Sequence, residues 1–262
     1  MIDRMPMLDV EGCSLHYTVK GEGIPIVFIH PPLLTSANFM YQLQGLSEKY
    51  KVITFDIRGH GKSGYSKLPI TYSLIVEDLT RILDCLGIKK AYICGYSTGG
   101  SIALEFLLAK AGRALGGIVA SGMPQVKDLY LKQRISFAAR LAKPRIIPLL
   151  SLAITWGNSN TSQTFRALYK DASTGDSRNI EQYYRYSLHY NCTRLLSDIG
   201  LPVLLVYGSK DTSFHKYAHI LHDELPNSEL VFLKKVKHQL PTKAAAALNE
   251  RIDAFIQTHH GQ

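Results

Sequence analysis

Residues Gly95 to Gly100 read GYSTGG, a serine between two glycines, set between the apolar run AYIC and the helical pattern SIALEFLLAK. A G-x-S-x-G between a strand and a helix predicts a turn too sharp for a Cβ at its glycines, with the serine hydroxyl lifted clear and helix N–H groups beneath it. Ser97 is therefore the candidate nucleophile. A hydroxyl is a weak nucleophile at neutral pH and needs an imidazole as base, itself held by a carboxylate. In the chain order Ser, Asp, His those partners are Asp211, three residues past LPVLLVYG, and His238, just past ELVFLKKV. Both follow strand-like runs, on loops that can reach the carboxyl edge of a parallel sheet. The chemistry available to such a set is acyl transfer through a covalent acyl-enzyme.

Other assignments of the same residues have to be weighed. Asp211 lies in GSKD and could be a plain turn residue. Six histidines follow it, but only His238 leaves a strand. His215, His219 and His222 share one face of a predicted helix, which could hold a metal, yet they form no H-E-x-x-H pattern and no metal site is expected. His259 and His260 fall in a polar C-terminal tail. Gly61-Lys62-Ser63 ends like a phosphate loop, but Asp56 stands where that loop needs its first glycine, so ATP binding is not expected.

The elements that must position these residues follow from the apolar pattern. IPIVFIH (24–30), KVITFD (51–56), AYICGY (91–96) and GGIVASG (116–122) are nearly continuous apolar runs, as strands buried on both faces are. Between the second and third, residues 71 to 86 repeat apolar residues at three and four, a helix stopped by Gly87. LPVLLVYG and ELVFLKKV are two later strands, and a last helix is predicted over 242–257, just after Pro241. Alternating strands and helices predict an α/β fold with a mainly parallel central sheet flanked by helices. Residues 124 to 198 break the alternation and read as consecutive helices punctuated by Pro124, Pro144 and Pro148. They are expected to form an inserted helical unit, with residues 1–123 and 199–262 making the core.

Taken together, the elbow, the helical insert, the late Asp and the final His resemble the α/β-hydrolase superfamily over essentially the whole chain. DIRGHGKSGYS (56–66) is similar to the D-x-R-G-x-G-x-S loop of many cap-bearing members, where it is mostly structural. The resemblance implies that the insert caps the site and that no metal or organic cofactor is required. It also implies an oxyanion hole made by the N–H of Thr98 and by a second N–H from the loop HPPLLTS. The usual H-G-x pattern puts that second donor at position 32, which is Pro32 and has no N–H. Leu33 is then the expected donor, or the hole has one donor fewer. Serine at position 97 argues against the branches of this fold that use an Asp nucleophile, and the H-G-G-P-G and H-G-S-G-P-G loops of two further branches are absent. The implied activity is that of a carboxylesterase-like serine hydrolase. A slow-turnover small-molecule receptor, a cofactor-free perhydrolase and a lyase are the alternatives on the same fold.

Composition bounds the rest. A chain of 262 residues can bury a core without disulfides or metals, and its longest apolar run, Ile146 to Trp156, is far short of the roughly 20 residues that span a bilayer. Asp3, Arg4, Asp9 and Glu11 leave no apolar segment for a signal peptide, and four scattered cysteines suit a reducing compartment, so a cytoplasmic location is expected. Residues 123–198 hold eleven bases and five acids, most of the net charge of +9. These bases are spaced singly among apolar residues, which reads as a solvated face and not as a nucleic-acid or membrane surface. The insert also holds six of the fifteen tyrosines and the only tryptophan, Trp156, and a pocket roofed by it suits a small hydrophobic ester. Nothing in the pattern excludes a homodimer.

Overall fold

The computed structural model describes residues 6–260; Asp3 and Arg4, which enter the signal-peptide expectation, lie outside them. The chain opens with β1 (Met7–Val10) and β2 (Cys13–Lys20), joined by a tight turn in which Glu11 and Gly12 have φ of 54° and 78°. There follow β3 (Pro25–Ile29), α1 (Met40–Leu46), β4 (Lys51–Phe55), α2 (Tyr72–Cys85), β5 (Ala91–Tyr96), α3 (Thr98–Ala109) and β6 (Ala114–Ala120). Four helices come next: α4 (Leu129–Leu141), α5 (Ile147–Asn158), α6 (Ser162–Ala172) and α7 (Ser177–His189). The chain closes with β7 (Val203–Gly208), α8 (Thr212–Glu224), β8 (Ser228–Leu233), α9 (Leu240–Lys243) and α10 (Ala245–His259).

The strands form one eight-stranded sheet in the order β1-β2-β4-β3-β5-β6-β7-β8, antiparallel only where β2 meets β1 and β4. The expected α/β fold with its mainly parallel sheet is thus what the chain adopts. Every residue of β5 and β7 is buried, because helices cover both faces of the sheet. Leu79, Ile102 and Leu221 of α2, α3 and α8 fill one face, and Leu46, Ile252 and Phe255 of α1 and α10 fill the other. Thr71 caps α2 through its hydroxyl oxygen, which accepts the Leu74 N–H at 3.1 Å. The last helix differs from expectation: a break at Ala244 (φ −137°) separates α9 from α10. No helix among the described residues is long and apolar enough to cross a membrane.

Helices α4 to α7 leave and rejoin the sheet at one place, where the Cys192 N–H donates to the Pro124 carbonyl at 3.0 Å. Their last member is stitched to the core. Tyr183 of α7 is fully buried in the main core cluster and donates its hydroxyl to the His30 carbonyl at 2.9 Å, while Asn179 accepts the Ser66 N–H at 2.8 Å. On its other side α7 packs Ile180 and Tyr184 against Ile135 of α4 and Leu150 of α5.

The segment after β4 braces the loops beneath the site. The buried Asp56 carboxylate accepts the Ser36 N–H at 2.8 Å and the Lys62 N–H at 2.9 Å, and the His16 ring lies 3.2 Å away. Arg58 makes a two-pronged pair with Asp78 at 2.7 and 2.6 Å, both buried. His30, at the end of β3, has both ring nitrogens committed in the neutral form: Nδ1 lies 2.9 Å from the Pro31 carbonyl, and Nε2 accepts the Ile57 N–H at 2.9 Å. Burial lowers its pKa, and burial together with the neighbouring His30 pushes that of His60 down to about 3.

These two rings predict an acid-sensitive stability. In the unfolded chain both protonate near pH ~6.5, so below that pH the unfolded state binds more protons and stability falls as pH falls. The loss continues until the folded value is reached, about 3 for His60. His60 alone should remove about 2 kcal/mol between pH ~7 and ~5, with His30 adding in the same direction. Urea unfolding at the two pH values checks this, and equal stability at both would sink it.

Candidate active site

Each candidate residue is placed by a different strand of the sheet. Ser97 sits at the turn from β5 into α3, with φ 55° and ψ −122°, a strained backbone for a residue with a Cβ. The turn is this tight because two peptide planes crowd it: a Cβ on Gly95 would lie 2.0 Å from the Gly99 carbonyl oxygen, and one on Gly99 would lie 2.1 Å from that of Ile29. Asp211 follows β7 and His238 follows β8, and the two loops hold each other through the Lys210 N–H, which donates to the Val236 carbonyl at 2.8 Å.

Residues distant in the chain meet here. The Ser97 hydroxyl lies 3.0 Å from His238 Nε2, and His238 Nδ1 lies 2.7 Å from Asp211 Oδ2. With the proton on Nδ1, the ring donates to the carboxylate and presents Nε2 as acceptor to the hydroxyl. Asp211 is 8% exposed and the His238 side chain 21%, so the carboxylate is screened from water while the imidazole still opens toward the cavity. Phe214 packs on the imidazole with ring centroids 4.3 Å apart, and Tyr96 lies against it at 5.4 Å.

A family model for the alpha/beta hydrolase fold matches residues 24–240 of this chain. The chain belongs to the α/β-hydrolase fold family. RutD of Azorhizobium caulinodans, which carries a carbamate hydrolase name, is 23% identical over 262 residues, covering 96% of this chain and 98% of that protein. The human serine hydrolase BPHL is 26% identical over 258 residues, covering 95% and 84% of the two chains. An esterase from Exiguobacterium antarcticum superposes with a TM-score of 0.85 at 20% identity, over 95% of this chain and 97% of that one, a likeness of fold.

In this α/β-hydrolase the loop after β3 carries two prolines, Pro31 and Pro32, and the structure shows how they are accommodated. Pro32 and Leu33 form the middle of a turn, and Leu33 takes φ 70°, as the third position of a proline-led type II turn requires. The Pro32 carbonyl faces the Tyr184 hydroxyl of α7 at 3.4 Å. A trans peptide points its N–H the opposite way, so the Leu33 N–H is turned away from Tyr184. Among the described residues neither this N–H nor that of Thr98 donates to a protein acceptor. The Leu33 side chain is buried against α4, α5 and α7, and the cavity wall at this point is made by Pro32 and Leu34.

A cavity of about 510 Å³ opens above Ser97, with a floor of Tyr96, Thr98, Phe214 and His238 and a roof from α4, α5 and α7. Its walls are apolar, with Met123, Ile135, Leu141, Leu150 and Ile154 among them. Arg134 is the only basic side chain on the wall other than His238. Tyr96 donates its hydroxyl to Asn158 Oδ1 at 3.2 Å, which joins the floor to the end of α5.

Sequence reasoning did not single out Phe214, Tyr96 or Asn158. Tyr96 had a signal, since it directly precedes the candidate nucleophile Ser97, whereas the other two are brought in only by the folding of α8 and α5. Two of the three histidines on α8 have separate partners: His215 contacts the Gly208 carbonyl at 3.1 Å and His222 the Ser228 hydroxyl at 2.9 Å. No group of three or more metal-capable side chains occurs among the described residues.

Proposed function

We propose that the protein is a serine hydrolase that cleaves a small hydrophobic ester, or a related acyl bond, through an acyl-enzyme on Ser97. Ser97 attacks the carbonyl while His238 takes its proton, and Asp211 fixes the tautomer and stabilises the imidazolium. The N–H groups of Thr98 and Leu33 hold the oxyanion, that of Thr98 aided by the positive end of α3. His238 then gives its proton to the leaving group and activates a water that releases the acid. Nucleophile, base and oxyanion donors all come from the chain, so this cycle calls for no cofactor.

The observation that carries the reading is the relay of 2.7 and 3.0 Å from Asp211 through His238 to Ser97, at the floor of an apolar cavity. It is supported by membership of a family in which this chemistry recurs. The substrate side rests on the cavity wall: with each buried methylene worth about 0.8 kcal/mol, kcat/KM should rise about fourfold per added carbon until the cavity is full. Hydrolysis of p-nitrophenyl esters from acetate to decanoate, with the pre-steady-state phase recorded, tests both parts. A burst followed by sustained turnover and a rising chain-length series is the expected result. A rate independent of chain length overturns the substrate class, and a single burst without turnover favours the receptor alternative, to which a weakened oxyanion hole at Pro32 would lend itself.

A further inference from the structure

Helix α5 has no charged residue, and with Ser151 and Thr155 both buried the side it turns outward is apolar. An apolar helix side is ordinarily packed against protein or lies in lipid. Here Ile147 and Leu150 face the protein, yet Leu149, Leu152 and Trp156 stand out on the opposite stripe at 66%, 44% and 71% exposure. The neighbouring α4 adds Leu129 at 75%, Tyr130 at 62% and Phe137 at 62%. Six of the chain's exposed large hydrophobic side chains thus lie on two adjacent helices. A cluster of this size on a single face marks an interaction surface.

Between the start of α4 and the end of α5 the charge has one sign, the nearest carboxylates being Asp128 at the cap of α4, held by Lys216, and Glu181 of α7. Residues 129–158 contain Lys132, Arg134, Arg140, Lys143 and Arg145 and no acidic residue. Among the described residues only Lys143 of these five has a carboxylate partner, Glu181 at 2.7 Å. Arg134 instead lies over the Tyr130 ring at 5.5 Å. A second copy of this chain would fit badly, because a two-fold interface sets each patch against itself and would oppose the four cations without a carboxylate partner to four of the same sign. Exposed apolar and aromatic side chains interspersed with cations, four of them without a carboxylate partner, match instead the face of a helix lying in the headgroup layer of a bilayer.

We propose that the α4–α5 face docks on an anionic lipid surface. The mouth of the cavity opens inside this patch, since Phe137, Leu149 and Arg134 line the cavity and are also exposed. An apolar acyl chain can therefore pass from lipid to the cavity without crossing water. That last step rests on the hydrolase reading, whereas docking itself does not. The assignment replaces the expectation that the basic face of the insert is merely solvated.

Trp156 is the only tryptophan and reports on the patch directly. Its emission, and co-sedimentation, would be followed as the Ser97→Ala protein, which cannot turn over, is titrated with vesicles of phosphatidylcholine alone or mixed with phosphatidylglycerol. The expected result is a blue shift and pelleting with the mixed vesicles only, weakening as salt is raised. Leu129→Ser with Leu152→Ser, and separately Arg140→Glu with Arg145→Glu, should each weaken binding by about tenfold or more, at the scale of two lost contacts. None of these four side chains lines the cavity, so in an otherwise wild-type background both double variants should hydrolyse a short soluble ester as the wild type does. No shift with either vesicle, or equal binding to both, overturns the proposal. So does an emission shift that follows protein concentration without lipid, which would assign the face to a second copy. Vesicle binding by a protein that hydrolyses no ester would leave the docking face standing and remove the hydrolase reading.

Discussion

Ser97→Ala is expected to lower kcat on an activated ester by about a million-fold, leaving the residual rate that oxyanion donors and binding alone can give. The fold should survive it. Alanine carries the same Cβ as serine at φ 55°, so the turn is no more strained than before, and the lost Oγ has His238 as its side-chain partner. His238→Ala should cost a similar factor. The double variant should lose almost nothing more, because nucleophile and base act as one unit. Steady-state rates with matched thermal melts decide the matter: turnover that persists in Ser97→Ala protein of normal stability would end the acyl-enzyme mechanism.

The second large effect belongs to Asp211→Asn, expected to lower kcat by about 10⁴-fold with little change in KM. The replacement keeps size and burial. An amide facing His238 Nδ1 across 2.7 Å can offer an N–H, which draws the ring proton to Nε2. Nε2 would then donate toward Ser97 and could no longer take its proton. Asp211 also loses the charge that stabilises the imidazolium. If Asp211→Asn kept most of its turnover, the carboxylate would be a turn residue of the GSKD segment and some other group would have to hold the ring.

Much of this arrangement could be read from the chain before any coordinates. AYICGY predicted β5 to the residue, since a wholly buried parallel strand leaves an unbroken apolar run whose end is marked by the elbow glycine. ELVFLKKV pointed to β8 but overran it: the strand stops at Leu233, and Lys235 turns into the left-handed region with φ 61°. The β1–β2 hairpin went unread, although Cys13, Leu15, Tyr17 and Val19 alternate with polar residues after a Glu-Gly turn. A hairpin at the sheet edge buries one face only and so gives a weaker pattern than the central strands. The positions of Ser97, Asp211 and His238 were legible because each lies on the segment that leaves the carboxyl end of a strand, Ser97 at once and the other two within five residues. Phe214, Asn158 and the patch on α5 were not, because side chains meeting across separate helices leave no spacing in the sequence. Leu33 shows the same limit from another side, since the direction of its N–H depends on a turn that two prolines and Tyr184 set together.

Helix α7 has two faces that answer to different partners, and this restricts how the roof of the cavity could be exchanged. A graft that swapped residues 124–198 whole would pull Tyr183 out of the sheet core and strand the Ser66 N–H now held by Asn179. The exchangeable part is shorter. Cutting after α5 and retaining α7 would leave Tyr183 and Asn179 in place, and the incoming pair of helices would need to match Ile180 and Tyr184 of α7, Leu33 on the loop after β3, and the hold of Tyr96 and Thr242 on Asn158. Chimeras built at that seam would change what the cavity admits while inheriting the foundation beneath it.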